Sequence, residues 1–372
     1  MKALPFKKSK AVSIGVELEY QIIDRDTFAL ASRAIDIFRC LKSNPFNCRI
    51  KPEINQSMIE INTSIHLSAE AMLEELRQLQ SYLIDKTSHL NIGFCGGGIH
   101  PEQKWISQKV FPRERYIKIA KIYGYLAKQA SVFGQHVHVG CANAEDALYL
   151  THAFARYIPQ FIAISASSPF YEGTDTGYFS TRSAVFNGFP MSRVMPFLQN
   201  WQEFTAYFYK MRDWGIIESM KDVYWDVRPK PEFGTVEIRI FDTPLKLEKA
   251  VMIAAYVQSL ALYLLAERPF KLTEELYFAY QHNRFQASRY GLEAKLVDTD
   301  NNKELPLMDD IMSTEKKIKT YSAQLGCEKY VQKLMDEVND NGNDAMILRN
   351  LYKEYGSFPK IISIQYQSWL NQ

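Results

Sequence analysis

Residues Val12–Ile23, VSIGVELEYQII, constrain the fold of this chain more than any other stretch. Apolar residues recur at every second position, so Val12, Ile14, Val16, Leu18, Tyr20 and Ile22 share one face of an extended strand. Ser13, Gly15, Glu17, Glu19 and Gln21 share the other. The first face can be buried against helices. The second carries two carboxylates about 6.7 Å apart, pointing the same way with no basic residue between them. Such a pair needs a cation, and later strands can bring further ligands to the same face.

The chain has 372 residues, 47% hydrophobic and 23% charged, which is a globular composition long enough for a large core. No Pro-, Ser- or Gly-rich linker, repeat or low-complexity run divides it. One catalytic domain over 1–372 is expected, with a sheet-containing core over about 11–293 and a helical part over about 294–372. A net charge of +2, without an Arg/Lys stripe and interleaved aromatics, speaks against a nucleic-acid partner. Five scattered cysteines (Cys40, Cys48, Cys95, Cys141, Cys327), with no C-x-x-C spacing, fit reduced thiols in the cytoplasm. For each of them a buried thiol is a more ordinary state than a nucleophile. The basic start MKALPFKKSK leads into the alternating strand rather than an apolar signal segment. The most apolar run, Ala250–Ala266, includes Gln258 and Ser259 and falls short of the usual 18-residue span. A buried helix is expected there, and no membrane partner.

Ser57–Ile65, SMIEINTSI, alternates again: Ile59, Ile61, Thr63 and Ile65 on one side, Met58, Glu60 and Asn62 on the other. Ser68 is an N-cap for a helix over Ala69–His89. Gly96-Gly97-Gly98 lacks the Lys-Ser/Thr ending of a P-loop and the spacing of a dinucleotide fingerprint, which leaves a tight turn needing positive φ. Arg113–Ala130 has helical period. In Val132–Gly140, VFGQHVHVG, Val137 and Val139 alternate with His136 and His138. Asn143 caps a helix that should kink or restart at Pro159. A long Gly/Ser/Thr/Pro-rich segment follows, with Arg182 as its only cation, and segments of that kind inside compact domains tend to be functional. Asn200 and Glu203 form a capping pair for a helix to about Asp213. Val223–Arg228 and Thr235–Asp242 read as a hairpin, with Val236, Ile238 and Ile240 inward and Thr235, Glu237, Arg239 and Phe241 opposite. From Leu247 the chain reads as helices to its end.

Four separated strands thus present acids or imidazoles opposite their apolar residues: Glu17 and Glu19, Glu60, His136 and His138, and Glu237 with Arg239. Any one of them alone is most simply the solvated side of an antiparallel sheet. Solvated faces usually mix in Lys, Thr and Ser, whereas this set consists almost entirely of metal-ligand types. Two carboxylates 7 Å apart repel by roughly 2 kcal/mol at an effective dielectric near 20. A cluster of them would take up protons or require divalent ions. Oxygen-rich ligation favours Mg²⁺ or Mn²⁺, and His136-x-His138 keeps zinc as an alternative. Arg182, Arg228 and Arg239 supply guanidinium groups suited to carboxylate and phosphate oxygens, although for each a structural ion pair is an equally ordinary role.

The motifs IGVELEY, SMIEIN, CGGGIHP, FGQHVHVG, SASSPFYEGTDTGYFSTR, WDVRPKPEFGTVEIRIFDTP and NRFQASRYGLE, in that order from about Ser13 to Glu293, resemble the carboxylate-amine ligases of the glutamate–cysteine ligase type 2 family. The resemblance implies an α+β, glutamine-synthetase-like fold: a curved, largely antiparallel sheet backed by helices, whose concave face binds ATP and Mg²⁺. It implies ATP-dependent joining of a small-molecule carboxylate to an amine through an acyl phosphate, and, by family analogy, a homodimer. Position by position, Glu17, Glu19, Glu60, His138 and Glu237, with His136, match metal-ligating motifs. Arg182, Arg228, Arg239 and Arg289 match arginines that bind phosphate or substrate, with Arg182 and Arg239 catalytic. Asn283 and Arg284 sit in the last motif without an assigned role. Arg193 stands in Met191–Met195 where the family motif has a small residue. The segment Thr174–Arg182 is expected to close over the intermediate. A zinc hydrolase using His136 and His138, and a non-catalytic metal- and nucleotide-binding regulator, are the alternatives.

Overall fold

The computed structural model describes residues 3–41, 46, 49–299 and 301–371. Cys48 lies outside them. Among the described residues the largest sheet has seven strands: β1 (Ile14–Asp24), β2 (Ile50–Pro52), β3 (Met58–Asn62), β4 (Ile92–Cys95), β5 (Gly134–Gly140), β6 (Val227–Lys230) and β7 (Thr235–Asp242). Their order is β6-β7-β5-β1-β3-β2, with β4 also on β1, and every pairing is antiparallel. The opening strand is therefore central.

The period-two face of β1 is buried as the alternation requires: Ile14, Val16, Leu18, Tyr20 and Ile22 are each 2% exposed or less. At about 1.5–3 kcal/mol per fully buried aliphatic side chain, this face alone fixes the register, since a one-residue slip would bury the glutamates instead. The helices Ala144–Ser165 and Leu247–Glu267 pack against this side, and Phe161 meets Phe241 with ring centroids 5.1 Å apart. Leu247–Glu267 is 21 residues long with a mean hydropathy of 1.6, so length and composition would allow a membrane span, contrary to the shorter run read from the sequence. What distinguishes it is packing: Ala250–Ala261 is buried without interruption in the core.

Several expectations hold in detail. Ser68 accepts from Ala71 N at 3.4 Å at the head of Ala69–Thr87, Asn143 from Asp146 N at 2.8 Å, and Asn200 from Glu203 N at 3.0 Å. Gly97 has φ +97°, and a Cβ on Gly96 would overlap the Pro244 carbonyl, so the glycine run is a turn with close backbone approach.

Others change. Helix Ala144–Ser165 runs through Pro159 without a break. The helical stretch after Arg113 is two helices, Glu114–Tyr123 and Tyr125–Gln129, separated by Gly124 at φ +57°. The hairpin arm before β7 is shorter than expected, because Tyr224–Trp225 pairs in parallel with Ser192–Arg193 instead. Met191 and Arg193 hold positive φ there, and Arg193 donates to Gln281 Oε1 at 3.0 Å. Two strands, Lys295–Asp298 and Lys303–Pro306, interrupt the C-terminal helices.

Phe241 also leaves its expected face. Between Ile238↔Val137 and Phe241↔Gln135, β7 advances three residues while β5 advances two. That bulge moves Phe241 into the core, where it is fully buried.

Candidate active site

Strand pairing brings the acids and imidazoles together in rows across the concave face. Glu60 lies opposite both Lys51 and Glu19, Glu17 lies between Asn62 and His136, and Glu237 lies between His138 and Arg228. Because the register is set by the apolar residues on the reverse side, burial of the core assembles this face.

His136 Nδ1 is 3.0 Å from Glu17 Oε2 and 3.8 Å from Glu237 Oε1, while its Nε2 is 3.9 Å from Glu19 Oε1. His138 Nε2 lies 3.6 Å from Glu17 Oε1, and its Nδ1 meets Thr235 Oγ1 at 3.1 Å. One ligand atom from each of Glu17, His138 and Glu237 falls within 4.8 Å of the others. The Nε2 atoms of both histidines are buried without a hydrogen-bond partner. Buried ring nitrogens without partners, facing several carboxylates, are the donor set a divalent cation takes up. The residues present fit a metal.

Electrostatics sharpen this picture. Burial, then Glu17 and Glu53, push the Glu60 carboxyl well above its ordinary range. Burial also raises Glu53 to about 7, with Glu19 adding to the effect and a hydrogen bond with Glu60 opposing it. At Glu237 burial is outweighed by Arg228 and then Arg239, which hold it well below the usual carboxylate value. At Glu17 burial is likewise outweighed, by the hydrogen bond with His136 Nδ1 and the nearby His138 imidazole, and its carboxyl is lowered. Burial and Arg239 keep His136 neutral, the form that ligates metals.

Sequence alternation does not single out Glu53. It follows the three-residue strand β2, where no apolar alternation announces a face. The signal was the pairing of Lys51 with Glu60, which puts Lys51 and Glu53, two residues apart, on the acidic side.

Two clefts meet over this face and share Glu17, Lys51 and Phe233. One, of about 530 Å³, is lined by Lys7, Lys8, Lys10, Arg49 and Thr63 beside His138. The other, of about 320 Å³, is lined by Glu19, Glu53, Glu60, Tyr116, Tyr224 and Arg239 among others. The helix Glu114–Tyr123 contributes Tyr116 and Ile119 to its wall, whereas Thr174–Arg182 lines neither cleft. Tyr116 Oη holds that helix to Pro52 O at 2.7 Å, and Arg115 reaches Asp222 Oδ1 at 3.3 Å.

The arginines separate into different roles. Arg228 spends its guanidinium on Glu237 (2.8 and 3.1 Å) and on the Met220 and Val223 carbonyls, so it braces the site. Arg239 pairs with Glu237 and lines the smaller cleft. Arg182 is buried, its two terminal nitrogens each 3.2 Å from the Arg239 and Ile240 carbonyls exposed by the β7 bulge, and its Nε is without a partner. Arg289 lines neither cleft. It donates to the Gly177 carbonyl and lies against Tyr178 and Tyr290. Asn283 holds Val297 through both N (2.8 Å) and O (2.9 Å), outside the acidic face. Among the described residues no thiol lines either cleft: Cys95, Cys141 and Cys327 are buried, burial pushes Cys141 up to about 12, and Cys40 lies 3.6 Å from His89 Nε2.

Residues 13–360 match the family described as Glutamate-cysteine ligase family 2 (GCS2). A relative from Legionella pneumophila (strain Lens), named "Putative glutamate--cysteine ligase 2-2", is 54% identical over 371 residues, covering 100% of this chain and 97% of its own. One from Ralstonia pickettii (strain 12J), named "Putative glutamate--cysteine ligase 2", is 47% identical over 354 residues, 95% of this chain and 94% of its own. Among solved structures, a glutamate–cysteine ligase from Francisella tularensis in complex with AMP superposes with a TM-score of 0.74 at 14% identity, covering 98% of this chain and 89% of that one. A bifunctional glutathione synthetase from Pasteurella multocida gives 0.71 at 16% identity, over 97% of this chain and 52% of that one. These two share the fold.

Proposed function

Since this chain belongs to the glutamate–cysteine ligase family 2 and is thus an ATP-dependent carboxylate-amine ligase forming a carbon–nitrogen bond, we propose that the acidic face between the two clefts is its active site. The observation that carries this reading is the convergence of five carboxylates, Glu17, Glu19, Glu53, Glu60 and Glu237, with two imidazoles whose Nε2 atoms lack partners. These residues would hold Mg²⁺, which when bound neutralises phosphate oxygens and polarises the transferred phosphoryl group.

ATP occupies the larger cleft, where Lys7, Lys8, Lys10 and Arg49 offer positive charge to a triphosphate. The acid and the amine occupy the smaller one. Arg239, which lines the smaller cleft, orients the acid and the phosphoryl oxygens, and Arg182, which meets it in a small hollow beside Asp226 and Tyr224, adds a second guanidinium whose Nε has no partner. An oxygen of the acid attacks the γ-phosphorus, the bond to the β-bridging oxygen breaks, and ADP leaves with that electron pair. The amine nitrogen then attacks the acyl carbon, the carbon–oxygen bond to phosphate breaks, and a cleft carboxylate takes the amine's proton. The helix Glu114–Tyr123 keeps water from the acyl phosphate. This sequence fits an ATP-dependent ligase better than the zinc hydrolase or the silent regulator. Glutamate and cysteine are the first pair to test.

The decisive experiment is ADP release across a panel of acids with hydroxylamine present. We expect hydroxamate in step with ADP, and ADP without hydroxamate on every acid would end the acyl-phosphate reading. Lys8→Ala with Lys10→Ala should raise the KM for ATP and leave that for the acid unchanged.

A further inference from the structure

The motif NRFQASRYGLE contains one side chain with a connection the ligation reaction does not by itself require. Arg284 is 5% exposed and donates through Nε to Asp226 Oδ2 at 2.6 Å and through one terminal nitrogen to Asp226 Oδ1 at 3.3 Å. The same terminal nitrogen donates to the Ser183 carbonyl at 3.1 Å. Tyr280, one helical turn earlier, donates its hydroxyl to Asp226 Oδ2 at 2.6 Å. Burial and Asp226 keep that phenol protonated.

Both ends of this cluster adjoin the anion-binding arginines. The Asp226 carbonyl accepts the Arg239 backbone N–H at 2.8 Å, and Ser183 follows Arg182 directly. Ser183 Oγ is tied back to the same helix through Ser288 Oγ at 2.8 Å. Arg182 in turn bonds the Arg239 and Ile240 carbonyls, which closes a ring of contacts from one arginine to the other. The bulge makes such a brace necessary, because β7 loses regular pairing with β5 at Arg239 and Ile240. A buried ion pair contributes little net stability compared with apolar packing, so stability alone gives no reason for this one.

We propose that Arg284, Asp226 and Tyr280 form a positioning brace that sets the spacing of Arg182 and Arg239 for the acid-activating step. The inference rests on the reading of Arg182 and Arg239 as the groups that bind the acid and the phosphoryl oxygens. The three residues act through these arginines and touch no substrate. A specificity role follows as well, since the spacing of the two guanidinium groups selects which acid presents its carboxylate correctly.

The test uses the full-length protein with Asp226→Asn, Tyr280→Phe, the double variant Asp226→Asn/Arg284→Gln, and Arg239→Ala. A misplacement on the ångström scale lowers rates by about 100-fold, so Asp226→Asn should lower kcat by about 10- to 100-fold and raise the KM for the acid. The KM for ATP should stay within about twofold, because ground-state nucleotide binding falls to Lys7, Lys8, Lys10 and Arg49, which these residues do not brace, and the two arginines meet the phosphoryl oxygens as the group transfers. Tyr280→Phe, which keeps the ion pair, should show the same split at severalfold size and carries the test if Asp226→Asn does not fold. The double variant, with an amide pair in place of the ion pair, should recover part of the lost kcat. Equal shifts in both KM values, or losses that merely track the folded fraction by circular dichroism, would overturn the brace. Unchanged activity in Arg239→Ala would instead overturn the parent assignment.

Discussion

Glu60 on β3 and Glu237 on β7 are both buried carboxylates on the concave side of one sheet, 7% and 1% exposed, and their surroundings drive them in opposite directions. Burial, then Glu17 and Glu53, raise the Glu60 carboxyl, and Lys51, 3.8 Å away, is the cation beside it. Glu237 is held by Arg228 and Arg239, with Lys230 at 3.9 Å, and is lowered. The β3 end is a site awaiting positive charge from a ligand. The β7 end carries its own. A phosphoryl-transfer site needs both, a place for metal and a fixed array of cations, and this sheet separates them by two strands.

The largest expected effect comes from the uncompensated end. Glu60→Gln should lower kcat by on the order of 1000-fold, the several kcal/mol of charge stabilisation a metal supplies. With chelator present, the same substitution removes a repelling carboxylate and should leave stability unchanged or raise it by up to about 2 kcal/mol. ADP release and urea unfolding measure the two quantities. Full turnover at saturating Mg²⁺ would remove Glu60 from the metal site.

At the compensated end the sign of the stability change should reverse. Glu237→Gln strips Arg228 and Arg239 of their shared counter-charge, and breaking a buried pair on one side costs about 3–5 kcal/mol. A second substitution, Arg228→Met, should recover much of that loss, since it removes the stranded cation. If urea unfolding gave Glu60→Gln and Glu237→Gln the same stability change, the contrast between the two ends would be wrong.

Much of this was readable before any coordinates, because burial of a strand's apolar face dictates where its other side chains go. Glu17, Glu19, Glu60, His136, His138 and Glu237 were each placed by period-two alternation, and the sheet does bring them together. What alternation cannot supply is pairing. Glu53 sits beyond a strand too short to alternate, and its place follows from Lys51 lying opposite Glu60. Alternation puts Phe241 on the opposite face, because one extra residue in β7 resets it and a bulge leaves no mark in apolar spacing. The arginines were hardest. Nothing in the sequence distinguishes Arg228, consumed by Glu237, from Arg182, whose buried Nε has no partner, or shows that Arg289 donates to the Gly177 carbonyl outside both clefts. A guanidinium group extends far enough that its partner is decided by tertiary structure.

A third environment, in which burial rather than a charged partner sets the shift, sharpens the contrast further. His152 is 1% exposed, with Nε2 2.8 Å from the Leu198 carbonyl, Nδ1 at the Tyr277 hydroxyl, and the Phe197 ring against it. Burial lowers its pKa to about 4, partly offset by the Leu198 carbonyl. Against an unfolded value near 6.5, the unfolded chain binds the proton more readily, so His152 stabilises the fold fully above 6.5 and progressively less as pH falls toward 4. The loss reaches about 2 kcal/mol at pH 5 and about 3 kcal/mol at the lower limit. His152→Gln retains one donor and one acceptor but does not titrate. The stability difference between pH 7.5 and pH 5, from urea unfolding, should therefore shrink by about 2 kcal/mol in that variant. An undiminished difference would mean that burial without charge does not govern His152, and the opposite shifts at Glu60 and Glu237 would lose their neutral reference.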